Sequence, residues 1–329
     1  MTNVQIPYKS KVFYILLLIF LFLIIIIFTF AFNLFAKISD MLAKTSNSSE
    51  EPFTDSPEDI IKTLKGKIVF QSNRDGDFEI FIMDVDGKNL KQLTHNNAED
   101  QYPRWSPDGK RIVFQSNRDG NFQIYIMNEK GRDIRRITHN SFNCYNPEWF
   151  PDGRRIAFDT LDNGDKIFVV DLHTGNEMML TDFWFRTILP AISPDGKSMA
   201  FTANKLFGWG IYHMDLSTKE IKLLDGEGGA CRPDYSPDGE KIAYVSGKGK
   251  GKENIWVMNL NGSNKMQITK SKTTFDYDPS WSPDGKWIAY ASSHDKHKGN
   301  WEIFIIRADG KHPLRLTNHP SHDKFPDWY

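Results

Sequence analysis

Three aspartates that recur at equivalent places along the sequence are its best candidates for binding a cation. Asp100, Asp276 and Asp323 each stand three residues before a proline. Carboxylate oxygens are hard ligands, and they suit calcium or a similar divalent cation. If their segments are neighbours in the fold, we expect the three side chains to converge on one such ion. The alternative is that each aspartate caps its own turn.

Two histidines, His319 and His322, lie close in sequence to Asp323. Together with the aspartates they could form the site of a carbohydrate-active enzyme, either a lyase or a hydrolase. The common catalytic motifs are absent from the sequence, which has no Gly-x-Ser-x-Gly, no Gly-x-x-x-x-Gly-Lys-Ser/Thr and no His-Glu-x-x-His. Its two cysteines, Cys144 and Cys231, form no Cys-x-x-Cys pair that would hold zinc. The motifs therefore favour binding over catalysis.

A second group of candidate residues has the composition of a binding surface. Aromatic side chains concentrate in segments 183–185 and 207–209, and lysines concentrate in two later loops. Aromatic anchors beside charged loops are typical of surfaces that bind proteins or glycans. The residues that we expect to contact a partner are Phe183, Trp184, Phe185, Phe207, Trp209, Lys250 and Lys296. The alternatives are that Phe183 or Trp184 folds inward as a plug, and that the lysines only form a solvated loop.

The overall composition is that of an ordinary globular protein. Of the 329 residues, 40% are hydrophobic and 25% are charged. The 41 Lys and Arg residues against 42 Asp and Glu leave a formal net charge of -1. Domains that bind nucleic acid usually carry a basic excess, so we expect no nucleic acid partner.

A repeated tetrapeptide predicts the architecture that positions these residues. Ser-Pro-Asp-Gly begins at residues 106, 193, 236 and 282, and Phe-Pro-Asp-Gly begins at residue 150. The repeat is therefore about 44 residues long. Short runs of β-forming residues follow each copy, separated by tight-turn sequences, as in segments 111–116 and 123–127. Four such runs in each unit predict a four-stranded antiparallel meander.

The strand after the tetrapeptide occurs six times, and the first unit lacks its leading strand. The chain end supplies a match, because residues 325–329 resemble residues 102–106, which lead another unit. A ring closed in this way leaves no open sheet edge. We therefore predict an all-β fold over residues 67–329, a six-bladed β-propeller of four-stranded antiparallel blades closed by the C-terminal strand.

The detailed pattern of residues 93–127 carries a family resemblance. Leu-Thr precedes Asp-x-x-Pro-x-Trp-Ser-Pro-Asp-Gly, and Ile-Val-Phe, Ser-Asn-Arg-Asp-Gly and Ile-Tyr-Ile-Met follow. This pattern resembles the WD-like repeats of the TolB family of propellers. The resemblance implies the fold more than the function, since similar repeats form the propellers of prolyl-oligopeptidase-like peptidases, tricorn-type proteases and some polysaccharide lyases. The family's type protein also carries an α/β domain ahead of its propeller, where this chain has a helix and a tether.

The N-terminal segment is strongly apolar. Residues 12–36 carry no charge, and a helix of that length spans roughly 37 Å, enough to cross a bilayer. No small-x-small cleavage site follows, so the segment favours an anchor over a cleaved signal peptide. We predict a short tail and transmembrane helix in residues 1–36, a polar tether in 37–66 and the propeller in 67–329. Part of the tether, with Ile60, Ile61 and Leu64, could instead form a short helix that docks on the propeller.

All the candidate binding residues fall at one end of the predicted ring. The loop that enters the first strand of a blade and the loop that joins its second and third strands emerge at this end, which we name the upper face. The tether joins the opposite end and would present the upper face outward. We therefore expect a membrane-anchored, extracytoplasmic module, periplasmic or extracellular, that binds a protein or cell-envelope component without catalysis. The alternative is the carbohydrate-active enzyme with a metal or carboxylate site at the channel mouth.

Overall fold

The computed structural model describes residues 56–161, 164–205, 208–248, 252–293 and 299–329, which lie in one compact unit, Ser56–Tyr329. The predicted transmembrane helix, residues 37–55 of the tether, Phe207, Lys250 and Lys296 lie outside the described residues. Within the described ranges, no helix has the length and apolar character needed to span a bilayer.

The described residues form six antiparallel sheets of four strands each, as the repeats predict. Blades 1 and 2 contain β1 (Lys67–Ser72), β2 (Glu79–Asp84), β3 (Lys91–Gln92), β24 (Asp323–Trp328), β4 (Asp100–Trp105), β5 (Arg111–Ser116), β6 (Gln123–Asn128) and β7 (Arg135–Arg136). Blades 3 and 4 contain β8 (Tyr145–Trp149), β9 (Arg155–Thr160), β10 (Lys166–Asp171), β11 (Glu177–Met179), β12 (Arg186–Ile192), β13 (Ser198–Asn204), β14 (Trp209–Asp215) and β15 (Ile221–Asp225). Blades 5 and 6 contain β16 (Cys231–Tyr235), β17 (Lys241–Ser246), β18 (Asn254–Asn259), β19 (Met266–Gln267), β20 (Asp276–Trp281), β21 (Trp287–Ser292), β22 (Glu302–Arg307) and β23 (Leu314–Arg315).

The predicted closure of the ring is confirmed. Strand β24 lies beside β1 in blade 1, with Ile68 opposite Trp328 and Ser72 opposite Asp323. The Lys67 N–H donates to the Tyr329 carbonyl at 2.7 Å, and the reverse bond measures 2.9 Å. The C-terminal strand therefore completes the sheet that the first three strands begin.

The Ser-Pro-Asp-Gly sequence folds as a tight turn held by its own side chains. In blade 2 the Gly109 N–H donates to the Ser106 carbonyl at 2.8 Å. The Ser106 hydroxyl donates to Asp108 at 2.6 Å and accepts from the Arg111 N–H at 2.9 Å. Gly109 has a φ of +64°, in the left-handed region that favours glycine. The tetrapeptide thus forms a tight turn, as expected from its composition.

Tryptophans at the ends of the leading strands join neighbouring blades. Trp149 is 4% exposed and its Nε1 donates to the carbonyl of Arg104 in the preceding blade at 3.3 Å. Trp281 is 5% exposed and makes the same bond to Asp234. These side chains pack between blades and leave the leading strands facing the centre of the ring.

A short helix precedes the first strand. Helix α1 (Pro57–Thr63) begins after Ser56, whose side chain accepts from the Asp59 N–H at 3.3 Å, and Pro57 occupies its first turn. Ile60 is 1% exposed and packs in a cluster with Trp287 and Trp328. The propeller-proximal part of the predicted tether is therefore a helix docked on the blades, which was the alternative expectation.

Candidate binding site at the channel mouth

Each leading strand carries a bulge that turns it toward the central channel. The residue before the strand proline has a φ between +50° and +58° in all six blades, and these bulge residues are Tyr102, Asn146, Leu189, Arg232, Asp278 and Phe325. The register of each leading strand against its neighbour shifts at the same place. A left-handed conformation is costly for non-glycine residues and is concentrated at functional sites. The six bulge residues, their prolines, Arg104 and Glu148 line one central cavity.

The three candidate metal-binding aspartates are buried and paired within their own blades. Asp323 accepts two bonds from Arg74, at 2.8 and 2.9 Å, and Asp100 accepts one from Arg118 at 2.7 Å. Asp276 accepts a bond from the hydroxyl of Ser292 at 2.6 Å. Among the residues that the structure describes, no group of three or more His, Cys, Asp or Glu side chains could hold a metal ion. Each carboxylate thus has a hydrogen-bond partner in its own blade, and the three do not form a group that could hold a metal among the described residues.

The two candidate histidines are held by neighbouring loops. The His319 N–H donates to Glu302 at 2.8 Å, and its Nδ1 accepts from the Ser321 N–H at 3.3 Å. The His322 N–H donates to Asn73 at 2.8 Å. Burial, followed by the charge of Lys324, lowers the pKa of His322. Among the described residues, neither imidazole joins the aspartates in a group that could hold a metal.

The aromatic segment of blade 4 divides between core and surface. Phe185 is 5% exposed and stacks with Phe183 at a ring-centre distance of 5.0 Å. Trp184 is 77% exposed, and its ring meets the edge of Phe185 at 5.5 Å. The structure therefore places Phe185 in the core and leaves Trp184 largely exposed to solvent. Neither Phe183 nor Trp184 is among the residues that line the central cavity.

Cations surround this aromatic segment. The Arg186 guanidinium lies over the ring of Trp209, 5.2 Å from its centre, and pairs with Asp165. Lys205 lies 5.5 Å from the centre of the Phe185 ring. Trp209 itself is partly exposed at the start of β14. The upper face of blade 4 thus combines exposed indole surface with positive charge.

The deeper channel contains a charge cluster that the sequence analysis missed. Arg104 pairs with Asp327 at 3.0 Å and with Glu148 at 3.4 Å. Asp327 also accepts from the Trp105 N–H, and Asp234 accepts from the Trp281 N–H at 3.0 Å. All four side chains of the channel cluster stand directly after a leading-strand proline, so the repeat alignment carried a signal for them.

Burial is the largest influence on the pKa values of two carboxyl groups in this cluster. It raises the pKa of Glu148 to about 8, against the opposing effect of Arg104. It raises the pKa of Asp234 to about 6 in the same way. Burial opposes the charge of Arg104, but the carboxylates of Asp327, Glu148 and Asp234 hold its pKa above the usual range. The cluster therefore contains carboxyl groups that bind protons near neutral pH.

Above the cluster, one arginine occupies the channel between three blades. Arg232 pairs with Asp278 at 2.8 Å. Its guanidinium lies 5.0 Å from the ring centre of Phe325, 5.6 Å from that of Tyr277 and 6.0 Å from that of Tyr102. The rings of Tyr102 and Phe325 are 3.7 Å apart. These side chains fill the level of the bulge residues.

A pocket of about 300 Å³ opens beside this arginine at the upper face. We name it the mouth pocket, and its lining residues are Arg232, Phe275, Tyr277, Asp278, Trp301, Lys324 and Phe325. They come from blades 5, 6 and 1. The pocket thus combines four aromatic rings, two cations and one carboxylate. No single repeat contains this combination, which explains why the sequence analysis did not find it.

Comparison with known proteins identifies relatives of this architecture. The sequence model of the TolB beta propeller domain matches residues 65–182 and 143–296, which is most of the chain. The Tol-Pal system protein TolB of Geobacter sulfurreducens is 36% identical over 72 residues, which are 22% of this chain and 14% of that protein. The chain matches 10% to 27% of the length of its curated relatives.

Two solved structures share the fold over most of the chain. TolB from Acinetobacter baumannii superposes with a TM-score of 0.70 at 25% identity, over 80% of this chain and 66% of that one. A protein from Agrobacterium tumefaciens described as a TolB superposes with a TM-score of 0.64 at 21% identity. That match covers 81% of this chain and 99% of the other, so nearly the whole of the Agrobacterium protein shares the fold of this chain.

Proposed function

Because the chain belongs to the TolB β-propeller domain family, we propose that it is a non-catalytic binding module whose upper face contacts a protein or cell-envelope component. The proposal rests on one observation above the others, the 77% exposure of Trp184 on a loop where blade 4 departs from its sister repeats. Exposed tryptophans of this kind are frequent binding hot spots. Arg186 is already paired with Asp165, so it is the nearby charge of Lys205 that favours a partner with an acidic surface.

The cellular placement that we propose follows from the N-terminal sequence. The uncharged segment of residues 12–36 would anchor the chain in a membrane as a single span, with the propeller on the extracytoplasmic side. Membership in the family that includes Tol-Pal system proteins supports the same side of the membrane. Protease treatment of intact cells and of spheroplasts tests this placement, because a cytoplasmic propeller would be protected in both.

Partner capture tests the binding role. The full-length chain, cross-linked in its native cells, is compared with the double variant Trp184→Ala/Trp209→Ala. We expect the variant to lose the captured partner while its melting temperature stays close to that of the wild type, since Trp184 is largely in solvent. Met178→Ala is the matched control, because Met178 is 60% exposed on strand β11.

Three outcomes would count against this interpretation. If the double variant captures the same partner as the wild type, the upper face of blade 4 is not the binding surface. If its melting temperature falls steeply, the rings of Trp184 and Trp209 stabilise the fold, and the proposal that they are exposed binding residues is refuted. Loss of capture in Met178→Ala as well would show that the assay reports exposed apolar area in general.

A further inference from the structure

The mouth pocket has the size of a site for one ring. Its volume of about 300 Å³ lies at the lower end of the range for small-molecule sites. Trp301 and Tyr277 meet edge to face, with ring centres 5.6 Å apart, and Phe275 and Phe325 complete the apolar lining. Aromatic walls of this kind bind the faces of flat or ring-shaped groups.

The pocket is closed below by the bulge residues. Arg232 lies among the rings of Tyr102, Tyr277 and Phe325, and Tyr102 and Phe325 are in direct contact. The left-handed backbone of Arg232, Asp278 and Phe325 fixes the direction of these side chains. A ligand would therefore end in the pocket rather than continue down the channel.

Among the described residues, the charges around the pocket leave an excess of positive charge, which favours an anion. Arg232 is neutralised by Asp278 at 2.8 Å. Lys324 lies over the ring of Trp301, with Nζ 4.3 Å from the ring centre, and has no carboxylate within 4.0 Å among the described residues. At the rim, Lys252 lies 4.1 Å from the centre of the Phe275 ring, and Glu253 stands next to it in sequence. Among the described residues, three cations and two carboxylates therefore lie at or beside the pocket.

The environment of Lys324 makes this positive charge costly. Burial, and then the charge of Arg232, lower the pKa of Lys324, although Asp278 opposes them. A bound anion next to Nζ would supply the missing opposite charge and would form a charge-assisted hydrogen bond. One carboxylate is enough to balance the single excess charge of the described residues.

We propose that the mouth pocket binds a small monocarboxylate whose body is a single ring, with the carboxylate near Lys324 and Arg232 and the ring against Trp301 and Tyr277. This site does not depend on the partner surface of blade 4. Two sources share this chemistry, aromatic acids and sugar acids, and the experiment distinguishes them.

The test is titration calorimetry of the full-length chain in detergent with benzoate and with D-glucuronate. Benzamide and D-glucose serve as the uncharged counterparts. We expect at least one of the acids to bind with a Kd of about 1 mM or tighter, given its small number of atoms. Its uncharged counterpart should bind at least about tenfold more weakly, because it cannot form the charge-assisted bond. Binding of benzoate alone supports an aromatic acid, and binding of glucuronate alone supports a sugar acid.

Variants locate the binding. Lys324→Gln should lower the affinity for the acid by about tenfold or more. Lys324→Arg keeps the charge and should retain most of the affinity. Lys110→Gln, at an exposed turn on the opposite end of the ring, should leave affinity unchanged. Trp184→Ala/Trp209→Ala should also bind the acid normally, which separates this site from the proposed partner surface.

Three results would overturn the proposal. In the first, neither acid binds at millimolar concentration. In the second, the acids bind no better than benzamide and glucose. In the third, Lys324→Gln retains full affinity while its melting temperature shows a folded protein. If Lys324→Gln does not fold, Lys324→Arg and the uncharged ligands still decide whether charge is recognised.

Discussion

The channel cluster allows a sharp test of the electrostatics inside the ring, through the variant Glu148→Gln. Glu148 lies 3.4 Å from Arg104, and its side chain is 20% exposed. Burial raises its pKa from 4.5 to about 8, so the folded protein holds this proton more tightly than the unfolded chain does. Glutamine keeps the shape of the side chain and removes the ionisation.

The sign of the effect follows from the direction of the pKa shift. A carboxyl group with a raised pKa in the folded state costs nothing below pH 4.5, where it is protonated in both states. As the pH rises toward 8, the unfolded chain loses the proton first, and the wild type loses stability. A rise from 4.5 to about 8 corresponds to about 5 kcal/mol at about 1.4 kcal/mol per pH unit. The side chain is 20% exposed, so solvent screens the group in part and we expect Glu148→Gln to gain about 1–2 kcal/mol over the wild type at pH 8.

The assay is urea unfolding of both proteins between pH 4.5 and pH 8.5. The difference in free energy of unfolding should be near zero at the acid end and should grow steadily toward pH 8. Asp234 also titrates in this range, and its charge contributes to the raised pKa of Glu148, so the pH trend of the difference reports Glu148 together with this coupling. Glu240→Gln, an exposed control on the lower face, should show no such trend. A difference that is independent of pH, or that favours the wild type at pH 8, would refute the assignment of a raised pKa to Glu148.

Two further predictions concern the fold around the channel. EDTA should leave the melting temperature unchanged, because Asp100 and Asp323 are already paired with arginines; a fall on chelation would show a cation that stabilises the ring. Arg232→Met should lower the free energy of unfolding by about 3 kcal/mol in urea titration, since it leaves Asp278 buried and unpaired. Arg132→Met, at an exposed turn, is its control, and an equal loss there would contradict the argument.

The fold was predictable from the sequence because every repeat forms the same four-stranded blade with the same kinds of turn and packing residue. The Pro-Asp-Gly turns, the interblade tryptophans and the closing strand could all be inferred by aligning one unit with another. Predicting the role of the three aspartates required knowledge of the side chains with which they pair. Blades 1 and 2 each combine an aspartate at the first position of the leading strand with an arginine in the turn between the second and third strands, Arg74 or Arg118, and both residues of each pair were visible in the sequence.

The mouth pocket could not be predicted in the same way. Its residues come from three blades, and they occupy positions where the repeats differ from one another. Only the geometry of the ring brings Arg232 next to Phe325, which is 93 positions away in the chain. The sequence also did not separate buried from exposed aromatic residues within one loop. Phe185 and Trp184 are neighbours, yet Phe185 is buried and Trp184 is exposed.

The pairing of β24 with β1 has a consequence for how the chain reaches its native state. The two strands are separated by about 250 residues, so their contact is among the most non-local in the molecule. During synthesis, blade 1 must wait with one unpaired edge until the final strand emerges from the ribosome. Blades 2 to 6 contain all their strands in sequence order and can form earlier. Ring closure would therefore be the last and slowest event, and the waiting edge of β1 is where misassembly between nascent chains would begin.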